Sequence, residues 1–176
     1  MAEQMVTVLD RENTILNRFI AQMRDVTVQG DSMRFRRNLE RAGEIMAYEI
    51  SKTLEDQPRS VETPLGEAEI MMPDEEIVVA TILRAGLPFH QGFLNYFDNA
   101  QNAFVSAYRK YKRGQPHVTP RAHGIGPVPG RVKAKKHLSA NNCKIWCGSL
   151  DAEMTVKSYI VPGMGDAGDL AYGEKL

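Results

Sequence analysis

Ile77-Val-Val-Ala-Thr-Ile-Leu83 is a continuous apolar run, and the turn Arg84-Ala-Gly86 follows it directly. Such a run is typical of a central strand in a parallel sheet, which is buried on both faces. Residues 89–97 predict a helix, and Ala103-Phe-Val-Ser-Ala-Tyr108 predicts a second strand. Strand, helix and strand in this order form a βαβ unit. The sequence therefore predicts an α/β fold with a mostly parallel sheet flanked by helices.

Two arginines, Arg84 and Arg109, each come directly after one of these predicted strands. Sheets of this kind place ligands at the carboxyl ends of their strands, so both arginines are expected at the same edge. A guanidinium group binds phosphate oxygens bidentately and always carries its charge. Either arginine alone would fit an independent surface or salt-bridge role. Their shared position favours a ligand that carries phosphates.

The residues before this unit predict helices and a hairpin arm, all within a single domain over 1–176. A first helix is predicted over residues 10–23, and a second over residues 32–54 with Asp31 as its N-cap. A β-hairpin is predicted over residues 60–70, where proline and glycine suit the turn. The apolar stripe of the second helix and the hairpin together predict a surface for self-association.

Residues 113–137 break the pattern because they are rich in Pro, Gly, His and basic side chains. They predict a loop or a disordered segment. No Asp or Glu occurs from Asn99 to Leu150, although the chain as a whole has zero formal net charge. A basic stretch can neutralise nucleic-acid phosphates, but this one has almost no interleaved aromatic residues for base stacking. Nucleic-acid binding is therefore a disfavoured alternative.

Composition indicates one globular domain: the chain has 176 residues, 43% hydrophobic and 25% charged. No apolar run reaches membrane-spanning length and no signal-peptide core is present, which predicts a cytoplasmic protein with no membrane partner. Cys143 and Cys147 have neither zinc-site nor disulfide spacing on a strand, so two buried thiols are expected. No histidine pair has metal-ligand spacing within a predicted helix, and no protein metal site is predicted.

The C-terminal stretch Tyr159-Ile-Val-Pro-Gly-Met-Gly-Asp-Ala-Gly-Asp169 is predicted to be a glycine loop that follows a final strand over Lys144–Gly148. Glycine adopts positive φ and lets the backbone approach a ligand closely, so the loop can offer bare N–H and C=O groups to a small planar molecule. Asp166 suits two roles. It can accept bonds from a sugar hydroxyl or hold Mg²⁺, or it can stabilise the loop as an Asx-turn residue.

Ile82-Leu-Arg-Ala-Gly-Leu87, Ala107-Tyr-Arg-Lys-Tyr111 and the C-terminal loop resemble uracil phosphoribosyltransferases. The resemblance covers residues 10–112 and again the residues from about 137 to the end. It implies a phosphoribosyltransferase-like fold and the conversion of uracil and 5-phosphoribosyl 1-pyrophosphate to UMP and pyrophosphate, with Mg²⁺, in pyrimidine salvage. It further implies GTP binding and a homo-oligomer of two or more subunits.

The same resemblance assigns roles to matching residues. It implies that Arg84 and Arg109 contact phosphoribosyl pyrophosphate, that Asp166 also reaches this substrate, and that Asp166 and Arg109 are catalytic. A uracil edge alternates C=O and N–H groups, which a bare backbone can pair in kind. The residues implied to hold uracil are Ile160, Gly165, Asp166 and Ala167.

The resemblance departs between Tyr111 and Lys144. The family carries a further strand there, ending in an acidic loop of Ala-Thr-Gly type that cradles the 5′-phosphate. Here the interval is shorter than the strand, helix and further strand of the family require. It also has no acidic residue and lacks that motif. The segment is either lost, or its residues are omitted or altered, as by a shifted reading frame. We therefore expect weak or no transferase activity from the chain as written. A non-catalytic relative that binds uracil or nucleotide, and an RNA-binding regulator, are the alternatives to the transferase.

Overall fold

The residues that a computed structural model of the chain describes are 6–74, 76–112, 115–125, 144–154 and 160–174. A 3₁₀ turn at Leu9–Arg11 precedes the first helix. The helices are α1 (Ile15–Arg24), α2 (Ser32–Ser51), α3 (Leu87–Leu94) and α4 (Ala167–Tyr172). The strands are β1 (Val6–Val8), β2 (Asp56–Thr63), β3 (Gly66–Pro73), β4 (Val78–Leu83), β5 (Gln101–Lys112), β6 (Gln115–Ile125), β7 (Ile145–Cys147), β8 (Glu153–Met154) and β9 (Ile160–Val161).

The predicted βαβ unit is confirmed by β4, α3 and β5. Strands β4 and β5 run parallel, with Val78 opposite Gln101 and Leu83 opposite Ser106. Helix α3 makes the connection between them. The chain is therefore an α/β protein, as its apolar run predicted.

The prediction of a segment without regular structure is wrong over Gln115–Ile125, which forms β6. This strand pairs antiparallel with β5, and the order among the described strands of this sheet is β4-β5-β6. An edge strand accommodates Pro116 and Pro120 because one side of its backbone completes no ladder. The pairing comes from β5, so the composition of the segment itself did not reveal it. The rest of the 113–137 segment lies outside the described residues.

Helix α2 begins where its capping residue predicts. The Asp31 carboxylate accepts a hydrogen bond from the backbone N–H of Arg34 at 3.0 Å, and the helix ends at Ser51. Phe35, Ala42 and Met46 from its apolar stripe are buried, and α2 packs against both α1 and α3. These three positions are therefore interior surface and do not serve the self-association that was expected of the stripe.

Helices α2 and α3 approach so closely that glycine is required at their crossing. A Cβ on Gly92 would overlap the Glu40 carbonyl oxygen and lie 2.8 Å from the Gly43 Cα. A Cβ on Gly43 would overlap the Phe89 carbonyl oxygen. This contact fixes α3, and so it fixes the position at which β4 ends.

The hairpin of β2 and β3 is confirmed and is longer than predicted. Asp56 pairs with Pro73 at its open end, and Gly66 has φ 147° at the turn. Nearly every residue of the two strands is exposed, including Ile70, Met71 and Met72. The hairpin is an arm that makes little contact with the rest of the described chain.

Strand β7 and the residues that follow it contact the N-terminal strand β1 and helix α1. Strand β7 pairs in parallel with β1 rather than with β4 or β5. Arg24 at the end of α1 donates to both carboxylate oxygens of Asp151, at 2.7 and 2.9 Å. Cys147 is half-buried and free rather than fully buried, and Cys143 lies outside the described residues. Of the helices described, none has the length and apolar character to span a membrane.

Candidate functional site

The turn after β4 depends on Gly86. Its N–H donates to the Ile82 carbonyl at 3.2 Å, and a Cβ at this position would overlap Thr81 Oγ1 and the same carbonyl. Any larger residue would therefore push the turn away from the strand that it follows. The Leu83–Arg84 peptide bond is cis. The turn places Arg84 at the carboxyl end of β4, as predicted.

The C-terminal loop uses two of its glycines in the left-handed region. Gly163 has φ 57° and Gly165 has φ 82°, which other residues adopt at a cost. A Cβ on Gly163 would also overlap the Ile160 carbonyl oxygen. Ile160 itself is 58% exposed and Gly165 is exposed, so this surface of the loop faces solvent. The predicted glycine loop is thus confirmed in its backbone conformation.

Asp166 caps α4. Its Oδ1 accepts hydrogen bonds from the backbone N–H groups of Gly168 at 2.9 Å and Asp169 at 3.1 Å. The prediction that this side chain stabilises the loop is therefore confirmed for that oxygen. Its role toward a ligand stays a prediction.

Ala167 occupies a different environment from its neighbours in the loop. It is half-buried and packs against the cluster of Met23, Phe35 and Ala171. Its methyl group therefore contributes to the attachment of α4 to α1 and α2. A contact with uracil, which the resemblance implies, stays a prediction.

Arg84 reaches from the end of β4 to α4. Its Nη2 donates to Asp169 Oδ1 at 2.5 Å and to the Gly173 carbonyl oxygen at 2.8 Å. A Cβ on Gly168 would lie 3.2 Å from Asp166 Oδ1 and 3.4 Å from Arg84 Nε. The structure therefore brings Arg84 and Asp166 together, although they are far apart in sequence. Sequence reasoning did not single out Asp169; the repeated Gly-Asp of the loop was the available signal.

A second arginine holds the other side of α4. Arg36 Nη1 donates to the Ala171 carbonyl oxygen at 2.6 Å, and its guanidinium carbon lies 5.9 Å from the centre of the Tyr172 ring. Burial raises the pKa of the Tyr172 phenol, and the charge of Arg36 opposes that shift. A cation at the carboxyl end of a helix stabilises its unpaired carbonyls. No sequence pattern distinguished Arg36 from its basic neighbours on α2.

Arg109 lies inside β5 rather than directly after a strand, so that detail of the prediction is wrong. Strand β5 continues to Lys112 because its pairing with β6 extends it, and Arg109 is opposite Pro120. The residue is beyond Ser106, the partner of Leu83 at the end of β4. Its backbone is therefore at the same end of the sheet as Arg84. Its side chain lies outside the described part of the structure.

Among the described residues no group of three or more His, Cys, Asp or Glu side chains could enclose a metal ion. Mg²⁺ in phosphate-binding enzymes does not need such a cage, because one or two carboxylates and the substrate phosphates hold it. Asp166 and Asp169 are the carboxylates beside Arg84. The residues present therefore fit an ion that arrives with a phosphorylated substrate.

Comparison with known proteins links this geometry to one family. Residues 11–121 match the family model described as uracil phosphoribosyltransferase. The chain is 46% identical to the uracil phosphoribosyltransferase of Porphyromonas gingivalis over 211 aligned positions, covering 96% of this chain and 98% of that one. It is 31% identical to the uracil phosphoribosyltransferase of Pyrococcus furiosus over 189 positions, covering 83% and 82%. The solved structure of the AQ2163 protein from Aquifex aeolicus shares the fold, with TM-score 0.78, 22% identity and coverage of 96% and 98%.

The same comparison bears on the shorter interval between Tyr111 and Lys144. The 211 aligned positions exceed the 176 residues of this chain, so the Porphyromonas gingivalis protein has residues without a counterpart here. The match to the family model ends at residue 121, within that interval. Both findings agree with a chain that is shorter than its relative in its interior.

Proposed function

This chain belongs to the uracil phosphoribosyltransferase family, whose members are transferases of pyrimidine salvage, and we propose that its Arg84 turn and C-terminal loop form the substrate site. The observation that carries the proposal is the approach of Arg84 Nε and Asp166 Oδ1 to one position over Gly168. A cationic group and a backbone loop meet there, at the carboxyl end of a parallel pair of strands. These are the elements needed for a phosphorylated sugar and a planar base.

The base is proposed to bind the solvent-facing surface of the loop. The backbone groups at Ile160, Gly165 and Ala167 pair with the alternating C=O and N–H groups of uracil. A base with the wrong pattern would leave polar groups unpaired, which gives the loop its specificity. The exposure of Ile160 and Gly165 and the positive φ of Gly165 support this assignment.

The pyrophosphate of the second substrate is proposed to bind Arg84 and Arg109. Both residues belong to the same end of the β4–β5 pair. Arginine donors fixed in place stabilise negative charge as it grows on the leaving pyrophosphate. Asp166 is proposed to contact the sugar–pyrophosphate side, where the anomeric carbon develops positive charge. With Arg109, it is the proposed catalytic residue.

A carboxylate of the loop would hold Mg²⁺ together with the pyrophosphate, and the bound ion would supply further positive charge against the leaving group. We also propose a homo-oligomer assembled through the β2–β3 arm. The arm exposes large apolar side chains that a second subunit would cover: Leu65, Ile70, Met71 and Met72. GTP binding and a cytoplasmic location rest on the family resemblance.

The test is the formation of radiolabelled UMP from labelled uracil. We expect UMP only when phosphoribosyl pyrophosphate and Mg²⁺ are both present, and none when cytosine replaces uracil. Calorimetry of each substrate accompanies the assay. A chain that binds neither substrate and forms no UMP contradicts the proposal. A chain that binds both without forming UMP is the non-catalytic relative, the alternative that the shorter interior favours.

A further inference from the structure

The Nη2 nitrogen of Arg84 carries two hydrogens, and both are already used. One is donated to Asp169 Oδ1 at 2.5 Å and the other to the Gly173 carbonyl oxygen at 2.8 Å. Both acceptors belong to α4 or to the residue after it. Arg84 is thus bound to a carboxylate of its own chain, in the position where the proposed function needs it to bind an anion.

Because of the geometry of the guanidinium group, these two hydrogen bonds limit how Arg84 can bind a phosphate. Its five N–H donors form two forks that can grip two phosphate oxygens at once. One fork combines Nε with Nη2, and the other combines Nη1 with Nη2. Because each fork includes a hydrogen of Nη2, neither is available while Asp169 and Gly173 both hold that nitrogen. Bidentate binding of a phosphate therefore requires Arg84 to release one of them.

We propose that Asp169 sets the affinity of this site for pyrophosphate by competing with it for Arg84. The inference rests on the proposed function, since it takes Arg84 to be a pyrophosphate ligand. The side chains of Arg84 and Asp169 are each 32% exposed, so solvent and an incoming anion reach the pair. A polyanion with more charge than one carboxylate displaces Asp169, and the affinity observed is lowered by the cost of that exchange.

Helix α4 keeps its other attachments when Arg84 exchanges partners. Arg36 still donates to the Ala171 carbonyl oxygen, and the Asp169 N–H still donates to Asp166 Oδ1. The loop that carries Asp166 therefore stays docked during the exchange. Asp169 acts on pyrophosphate affinity without being needed for the conformation of the loop.

The experiment measures the affinity of inorganic pyrophosphate, without Mg²⁺, by calorimetry on the full 176-residue chain. We expect Asp169→Asn to tighten binding by about three- to tenfold, since the pair is partly exposed and screened. Asp169→Ala, which removes the acceptor as well as the charge, should tighten it at least as much. Asp74→Asn is the matched control. It also removes one negative charge from an arginine–aspartate pair, with Arg59, but it lies on the hairpin arm.

A double-mutant cycle with Arg84→Ala separates competition from general electrostatics. Competition requires that Asp169→Asn has no effect once Arg84 is gone. Equal tightening in both backgrounds, or by Asp74→Asn, overturns the inference. The inference is also overturned if pyrophosphate binding depends on Arg84 but Asp169→Asn leaves the affinity unchanged or lowers it. Pyrophosphate that fails to bind, or binds equally well to Arg84→Ala, instead refutes the phosphate site of the proposed function, on which this inference depends.

Discussion

Gly165 is the residue whose conformation most directly limits the C-terminal loop. It has φ 82°, and the nearest atoms to a Cβ built there lie 4.0 Å away. Gly165→Ala therefore introduces backbone strain without a collision, costing about 1–2 kcal/mol in the left-handed region. We expect uracil affinity to fall about tenfold because the strained loop leaves its binding conformation. Calorimetry with uracil measures the change.

Gly66→Ala is the matched control for this substitution. Gly66 also has positive φ with nothing within 4 Å of a built Cβ, but it lies at the tip of the hairpin arm. The Gly66→Ala variant should be less stable than wild type but should keep its uracil affinity. Uracil binding that survives Gly165→Ala undiminished in a folded chain would remove the loop from the base site.

Arg84 is the residue through which the phosphate site is most directly tested. Arg84→Ala should weaken binding of phosphoribosyl pyrophosphate, since losing a charge-assisted hydrogen bond costs about 1.5–3 kcal/mol. Uracil affinity should change less, because the proposed base site is the backbone of the loop rather than Arg84. Arg59→Ala, which removes an arginine from the hairpin arm, is the control. Equal affinities in wild type and Arg84→Ala would rule out this role.

For single residues, the sequence predicted the features that depend on the local backbone. It did not predict the contacts between residues that are far apart in the chain. The positive φ of Gly163 and Gly165 and the position of Arg84 follow from their own segments. Asp169 was missed because its partner, Arg84, lies 85 residues away. The packing of Ala167 against the core was missed for the same reason, since Met23 and Phe35 come from distant helices.

The crossing of α2 and α3 controls where the Arg84 turn lies. Gly92→Ala places a methyl group against the Glu40 carbonyl oxygen and the Gly43 Cα, all of which are backbone and cannot rotate away. We expect the overpacking to cost about 1–3 kcal/mol, more than the gain in helix propensity. Denaturant unfolding measures this change in free energy. Gly30→Ala, where a Cβ meets nothing within 4 Å, should stay within about 0.5 kcal/mol of wild type. Similar stability of the two variants would show that the helices separate at no cost.

Periodicity predicted the elements that carry their own pattern. The capped start of α2, the hairpin and the βαβ unit all follow from spacing and turn residues. The first predicted helix is divided into a 3₁₀ turn and α1. Strand β6 has no apolar alternation, and its structure comes from pairing with β5. A strand that forms because it pairs with a neighbouring strand cannot be predicted from its own residues alone.

The whole molecule differs from its sequence prediction at the outer face of β4. The apolar run predicted a strand buried on both faces, but Val78 is 56% exposed and Ile82 is 60% exposed. Within the part of the chain that the structure describes, no strand pairs with the second edge of β4. The exposed face of β4 therefore departs from the prediction of a strand buried on both faces.

The last prediction concerns turnover by the complete 176-residue chain. Glycosyl transfer requires the anomeric carbon to be held in line between the uracil nitrogen and the pyrophosphate, and a displacement of about 1 Å can cost about a hundredfold in rate. Arg84 and the loop around Asp166 are proposed to hold the pyrophosphate and the base, but no recognisable motif between Tyr111 and Lys144 would hold the 5′-phosphate. We therefore expect UMP formation at least about a hundredfold slower than by the Porphyromonas gingivalis enzyme, with labelled uracil in parallel assays. Uracil and inorganic pyrophosphate affinities of the two proteins, measured by calorimetry, are the control and should agree within a few-fold. Comparable rates would show that this shorter interval rebuilds a 5′-phosphate site from residues that no family motif predicts.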